Sequence, residues 1–210
     1  MSNYIDSLNW RYATKKFDPS KKIAKADLET LLEAVRLSAS SYGLQPYQIL
    51  VITDPEIREK LKPVSWGQSQ ITDASHLIVF ANNTVVDENL MDGYIKNVSN
   101  TRGIPQEELQ GYGDFMKSKL LDLTEEQRLS WTSRQVYLAL GNLLSAAALL
   151  KIDTCPMEGF EAEKYNEILG LKEKGLNAAV VATIGYRSEE DTTQHYKKVR
   201  RSKEELFTHI

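Results

Sequence analysis

The chain has 210 residues, 41% hydrophobic and 26% charged, with a formal net charge of −3. That length can bury a sizeable core, and the composition is ordinary for a globular protein. The mild acidity without a long basic stripe argues against nucleic acid as the main partner, and no apolar run reaches the roughly 18 residues that a membrane helix needs. The single Cys155 leaves no internal disulfide or cysteine-rich metal site and suggests a reducing compartment. A polar start, Met1 to Asp6, shows no signal peptide, so a cytoplasmic location is expected.

Residues 3–11 read as a short helix with Ile5 and Leu8 inward. Leu28, Leu31, Leu32 and Val35 recur at helical spacing and predict a helix over 25–38. The run 47–53 is rich in β-branched and aromatic residues and reads as a strand. A helix over 54–61 follows, with Asp54 as N-cap and Pro55 at its first position. Residues 73–81 turn from a helix end into a second strand. Two rather polar helices, 86–101 and 105–121, are separated by the break Gly103-Ile104-Pro105. The longest helix spans about 124–150, opened by a capping box of Thr124 and Gln127, and its half 136–150 reads as buried core. A short strand at 152–156, a short helix at 161–169 and a strand at 176–186 complete the pattern. The polar tail 190–210 cannot pack a core by itself, so it must lie against something or stay mobile. With no repeat, low-complexity tract or linker, 1–210 reads as one domain. The order α-α-β-α-α-β-α-α-α-β-α-β is not a regular alternation and favours an α+β sandwich over a doubly wound fold.

Short basic clusters sit at both ends: Arg11, Lys15 and Lys16, then Lys197, Lys198, Arg200 and Arg201. Basic side chains from distant segments can converge on one dianionic phosphate, which suggests a phosphorylated cofactor. Neither a G-x-G-x-x-G nor a P-loop motif is present, so a Rossmann or P-loop nucleotide site is not expected. His76, His195 and His209 lack metal-ligand spacing, so no metal is expected, and His76 reads as structural. Cys155 has no nearby base and reads as a small buried hydrophobe. Ser40 and Ser41 lack a nucleophile elbow and suit hydroxyl donation to a ligand better. Singly, each remaining motif has a bland reading: a solvated basic turn at 11–16, a strand start at Gln45-Pro46-Tyr47, a permissive turn at Glu158-Gly159-Phe160.

Together, seven pieces in order resemble the FMN-dependent nitroreductase family, in particular its oxygen-insensitive NAD(P)H nitroreductases and dihydropteridine reductase-like members. They are Arg11-x-x-x-Lys15, Ser40-Ser41-x-x-x-Gln45-Pro46, Asp73 to Phe80, Gln135 to Asn142, Pro156 to Phe160, Leu169 to Gly175, and Lys198-x-Arg200. The resemblance implies a three-layer α+β sandwich with a small, mostly antiparallel sheet. It also implies an interlocked homodimer whose C-terminal tails cross onto the partner. Arg11, Lys198 and Arg200 would hold the FMN phosphate, with Tyr12 and Ala13 in the same cofactor-binding run. Lys15 would sit near the flavin N1 and O2, where it stabilises negative charge, and Glu158 and Gly159 would lie at the N5 edge. These three are the residues implied as catalytic. Pro156 would pack on the ring and Gln135 would lie near it. Ser40, Ser41 and Gln45 would reach the flavin from the partner subunit. Tyr42, Tyr112 and Phe115 would face the substrate. Ala13 stands where the family often has serine, Gly67 where it commonly has asparagine, and Gln70 where one subgroup has lysine. Gln68 or Gln70 would compensate for Gly67 at the pyrimidine edge.

The implied activity is two-electron, ping-pong transfer from NADH or NADPH through FMN to a small-molecule acceptor such as a nitroaromatic or quinone. Two alternatives stand beside it: a non-catalytic or redox-sensing flavin protein, and a reductive dehalogenase or flavin-destroying member of the same superfamily.

Overall fold

Four strands organise the chain in the computed structural model, which describes residues 2–210 and side chains from Tyr4 onward. They are β1 (Tyr47–Ile52), β2 (His76–Asn83), β3 (Asp153–Met157) and β4 (Leu176–Gly185), in the spatial order β1-β2-β4-β3 with every pairing antiparallel. A parallel contact joins Ala13 to Thr154 at the β3 edge, so the sheet is mostly antiparallel as expected. Alternation sorts the side chains to two faces. Leu77, Val79 and Ala81 of β2 face one core with Val181 and Met157, while Ile78 and Phe80 face another with Val180 and Ala182.

Helices cover both faces, which gives the three-layer sandwich. Helices α3 (Pro55–Leu61), α4 (Gln70–Asp73) and α8 (Ala162–Leu169) close the first core through Leu61, Ile71 and Tyr165. Helices α2 (Lys25–Arg36) and α7 (Glu125–Leu149) close the second through Leu31, Val35, Val136 and Leu143. A third, smaller core forms where α5 (Glu88–Arg102) and α6 (Gln106–Leu120) pack through Met91, Ile95, Met116 and Leu120. The chain begins with α1 (Ser2–Trp10) and ends with a single turn of helix, α9 (Lys203–Leu206).

Local chemistry explains the boundaries. Asp54 caps α3 by accepting from Glu56 N and Ile57 N, with Pro55 at the first position. Thr124 Oγ1 accepts from Gln127 N at 3.2 Å while Gln127 Oε1 accepts from Thr124 N at 2.9 Å, a complete capping box for α7.

Two expectations are overturned. Ile5 is exposed and Leu8 only half-buried, whereas Ser7 is fully buried and α1 packs on α7. Residues 136–150 are not wholly core either: Val136, Ala139, Leu140, Leu143 and Ala147 point inward, but Tyr137, Leu138 and Leu149 are exposed. An apolar strip therefore runs along the outer face of α7.

Candidate functional site

The two basic ends meet. Helix α1 stops at Trp10, and residues 11–17 then run beside β3, with Thr14 N donating to Thr154 O at 3.2 Å. The segment after β4 returns over this run: Phe17 bridges Arg187, and Ser188 N donates to Lys16 O at 2.9 Å. Arg187 locks the junction. Its guanidinium pairs with buried Asp153 at 2.5 Å and stacks over the rings of Trp10 and Tyr12, at 4.4 and 4.6 Å.

Between the two segments lies a cavity of about 370 Å³, lined by Arg11, Tyr12, Ala13, Thr193, Lys198 and Arg200 among others. Lys198 Nζ donates to the Arg11 carbonyl. Arg11 Nε is buried with no hydrogen-bond partner. Burial, then the Arg200 charge, lowers the Arg11 pKa, and burial, then Arg11 and Arg200, lowers that of Lys198. Four cations, Arg11, Lys197, Lys198 and Arg200, therefore line one cavity. An orphaned buried donor beside clustered cations suits a dianionic phosphate. The residues present fit FMN's phosphate end.

A residue that sequence reasoning missed holds this cradle together. Asp191 is 1% exposed. Its Oδ2 accepts from Tyr12 Oη at 2.9 Å, Lys15 N at 2.7 Å and Lys16 N at 3.1 Å. Its Oδ1 accepts from Thr193 N at 3.0 Å and Thr193 Oγ1 at 2.5 Å. Burial pushes its pKa up, but these hydrogen bonds outweigh that and hold it at about 2. The same contacts push the Tyr12 phenol above its ordinary range, with burial the first cause. The Asp-Thr-Thr spacing is a legible turn signal, but nothing local in it points to residues 12–16.

Lys15 and Lys16 have different surroundings. Lys16 forms a surface ion pair with Glu190 at 3.4 Å. Lys15 is exposed, and among the described residues it has no carboxylate partner within salt-bridge distance. Its charge reaches the Cys155 thiol, which burial raises overall and which Lys15, then a Gln70 hydrogen bond, moderates. Gln70 is buried beside that thiol. Arg11, Lys15, Gln70 and Cys155 thus form one neighbourhood at the β3 edge.

Half-buried Pro156 lies near the end of β3, and the turn that follows carries exposed Glu158 and half-buried Gly159. A Cβ on Gly159 would lie 2.7 Å from the Trp66 ring, so a larger residue there would have to displace that exposed side chain. Gln68 Nε2 donates to Gly159 O and Ser65 O, both at 3.0 Å. Trp66 and Gly67 have φ of +56° and +69°. The left-handed backbone at 67 suits glycine or asparagine alike, which gives a physical reason for the departure noted there. Tyr137 Oη donates to Glu158 Oε1 at 2.6 Å.

The loop 40–45 lies elsewhere and lines no part of the basic cavity. Ser40 Oγ accepts from Gln45 N at 2.9 Å, and Gln135 Oε1 accepts from Ser41 N at 2.8 Å. Gln135 Nε2 donates to Trp131 O, and Gln45 Nε2 to Arg36 O. Tyr42 and Gln45 both hold positive φ, +57° and +43°, a strained loop of the kind found at binding sites. Tyr42 meets Phe115 edge-on at 6.4 Å, and burial raises the Tyr112 pKa. Two of the three aromatics expected on the substrate side, Tyr42 and Phe115, therefore meet at this loop. Within one chain, then, the site residues form two groups: the cradle with its β3 neighbours, and the loop with its aromatics.

Other candidates have structural roles. His76 bonds Ser75 Oγ at 3.0 Å, and burial, then Arg58, lowers its pKa. Among the described residues no cluster of His, Cys, Asp and Glu could hold a metal, and no helix is long and apolar enough to cross a membrane.

Comparison with known proteins matches residues 8–186 to the profile described as the nitroreductase family. YfkO of Bacillus subtilis (strain 168), provisionally named an NAD(P)H nitroreductase, is 40% identical over 194 residues, covering 87% of this chain and 88% of that one. The crystal structure of ydfN from Bacillus subtilis, provisionally termed a nitroreductase, superposes with a TM-score of 0.89 at 22% identity and full coverage of both chains. A structure from Exiguobacterium sibiricum, likewise provisionally termed a nitroreductase and described in complex with FMN, gives 0.84 at 20% identity, covering 99% of this chain and 97% of that one.

Proposed function

The chain belongs to the nitroreductase family, and from that premise we propose that it is an FMN-dependent NAD(P)H oxidoreductase acting on small acceptors such as nitroaromatics or quinones. The observation that carries this reading is the convergence of Arg11, Lys198 and Arg200 on one cavity, with Arg11 Nε left unpaired. When bound, FMN supplies two-electron hydride chemistry, taking from reduced nicotinamide and giving to the acceptor in turn.

The protein's part is to bind, orient and shield. Arg200 offers a planar fork to the phosphate, and Lys198 a point charge. Tyr12 and Ala13 line the same cavity. Lys15, without a carboxylate partner of its own, supplies a cation for charge that develops at the N1 end. Gly159 would present its backbone at the N5 edge, with Pro156 beside the ring, while Gly67 and Gln70 would border the pyrimidine end. A transfer of this kind needs no protein nucleophile or general base.

The second group of residues completes the site from a second copy of the chain. Ser40, Ser41, Gln45 and Gln135 contribute to the partner's flavin, and Tyr42, Tyr112 and Phe115 border the acceptor's path. The exposed strip Tyr137, Leu138 and Leu149 on α7 supports such an interlocked homodimer. So do the exposed Val199, Leu206 and Phe207 of the tail, apolar side chains suited to crossing onto a neighbour.

The test is direct. The purified protein should be yellow, should release one FMN per chain on heating, and should be bleached by NADH or NADPH and recoloured by a quinone. FAD, or no flavin at all, sinks the reading, and a yellow protein that never turns over makes it a binding module.

A further inference from the structure

The turn after β3 is gripped from two sides. On one side the Trp66 ring packs close against Gly159, and Gln68 holds the Gly159 carbonyl at 3.0 Å. On the other, Tyr137 reaches from the outer face of α7 to the Glu158 carboxylate at 2.6 Å. The backbone of the turn is fixed by the first grip, but the Glu158 side chain is not. It is exposed, and among the described residues Tyr137 is its one side-chain partner.

We propose that Tyr137 is a positioning residue that parks the Glu158 carboxylate on α7, so that the N5 edge of a bound flavin meets the Gly159 backbone and not a free carboxylate. The proposal rests on the flavin reading above. A glutamate left without a partner samples several rotamers. In those that bring it to the flavin, its negative charge opposes the negative charge the flavin gains on reduction. A phenol-to-carboxylate bond of this length is charge-assisted, and it confines that charge to one place. Tyr137 also sits in the apolar strip with Leu138, so a second copy packed there would exclude water and strengthen the bond. Burial, then the Glu158 contact, raises the phenol's pKa to about 12, so it remains a donor at neutral pH. Position 137 and position 158 lie on different elements, and this bond is what couples them.

The test uses flavin-loaded protein with Tyr137→Phe, Glu158→Ala and both together. Two quantities are measured: the midpoint potential of the bound flavin and its rate of reduction by NADH in stopped flow. Tyr137→Phe should lower the potential and slow reduction about 5-fold, the size of one net hydrogen bond. In the Glu158→Ala background the same change should leave both quantities within error. Wild-type potential and rate in Tyr137→Phe overturn the proposal. So does an undiminished effect in the Glu158→Ala background, since Tyr137 would then act through packing alone. A protein that holds no flavin overturns the flavin reading and this inference together, whereas a flavin-loaded, fully active Tyr137→Phe overturns this inference only.

Discussion

Replacing Arg11 with methionine should move stability and cofactor affinity in opposite directions. In the cradle, Arg11 Nε is buried without a partner, and its charge is opposed by burial and by Arg200. A buried unpaired polar group costs about 1–3 kcal/mol. Arg11 is only half-buried, so the lower end applies. Methionine keeps much of the apolar stem and removes both penalties, while the Lys198 bond goes to the Arg11 backbone carbonyl and survives. The flavin-free protein should gain about 1 kcal/mol, or roughly 2–4 °C in Tm for a chain of this size. FMN affinity should fall by about 2–4 kcal/mol, because a charge-assisted contact to a dianion is lost. That is roughly 30- to 1000-fold in Kd. Thermal melts of apoprotein and fluorescence titration with FMN give the two numbers. A destabilised apoprotein with unchanged FMN affinity would refute the reasoning, since Arg11 would then be a structural cation and not a phosphate ligand.

Three further outcomes follow from the same geometry. Lys15→Ala should slow flavin reduction by about two to three orders of magnitude while changing the FMN Kd only a few-fold, because its charge matters most in the reduced state; a wild-type rate in stopped flow would remove Lys15 from the flavin. Asp191→Asn keeps one of two oxygens that together accept five hydrogen bonds, so at least two donors lose their acceptor and urea unfolding at pH 7 should show a loss of about 2–4 kcal/mol; a loss under about 0.5 kcal/mol would make the hub dispensable. The wild-type carboxylate, its pKa depressed from 3.8 to about 2, contributes its stability above the ordinary value and loses it as pH falls through about 2. The Lys198 pKa lies below the ordinary 10.5 in the flavin-free protein, and phosphate favours its charged form, so FMN affinity should be full at neutral pH and fall as pH rises toward 10.5; equal Kd values at pH 7 and pH 10 would contradict this.

How much was legible in the sequence depended on how local each signal is. The caps of Asp54 and Thr124 are written within four residues, and they fixed the starts of α3 and α7. The apolar runs after His76 and from Leu176 read as strands, and they are the two central ones, but strand order is a long-range property that no window carries. Ile5 was misplaced because an apolar residue in a short helix is read as inward, whereas in α1 it is Ser7 that is fully buried. The apolar richness of 136–150 reads as core, because composition alone does not separate a face turned to the sheet from an exposed one. Asp191 escaped notice because its partners, Tyr12, Lys15 and Lys16, lie about 175 residues away. The Tyr137–Glu158 bond is equally silent, since a tyrosine in an amphipathic helix carries no mark of its partner. The basic ends are the opposite case. Their charges stand out against an acidic chain, and electrostatics alone says that cations brought together want an anion.

The central claim is that the cradle of Arg11, Lys198 and Arg200 recognises a phosphate, and comparing FMN with riboflavin tests it most directly. The two share the same ring and ribityl chain and differ only in the phosphate. Fluorescence titration of flavin-free protein should show FMN binding at least about 100-fold tighter than riboflavin, the effect of several charge-assisted contacts acting together. Equal affinity for the two would show that the cavity between the chain's ends holds no phosphate.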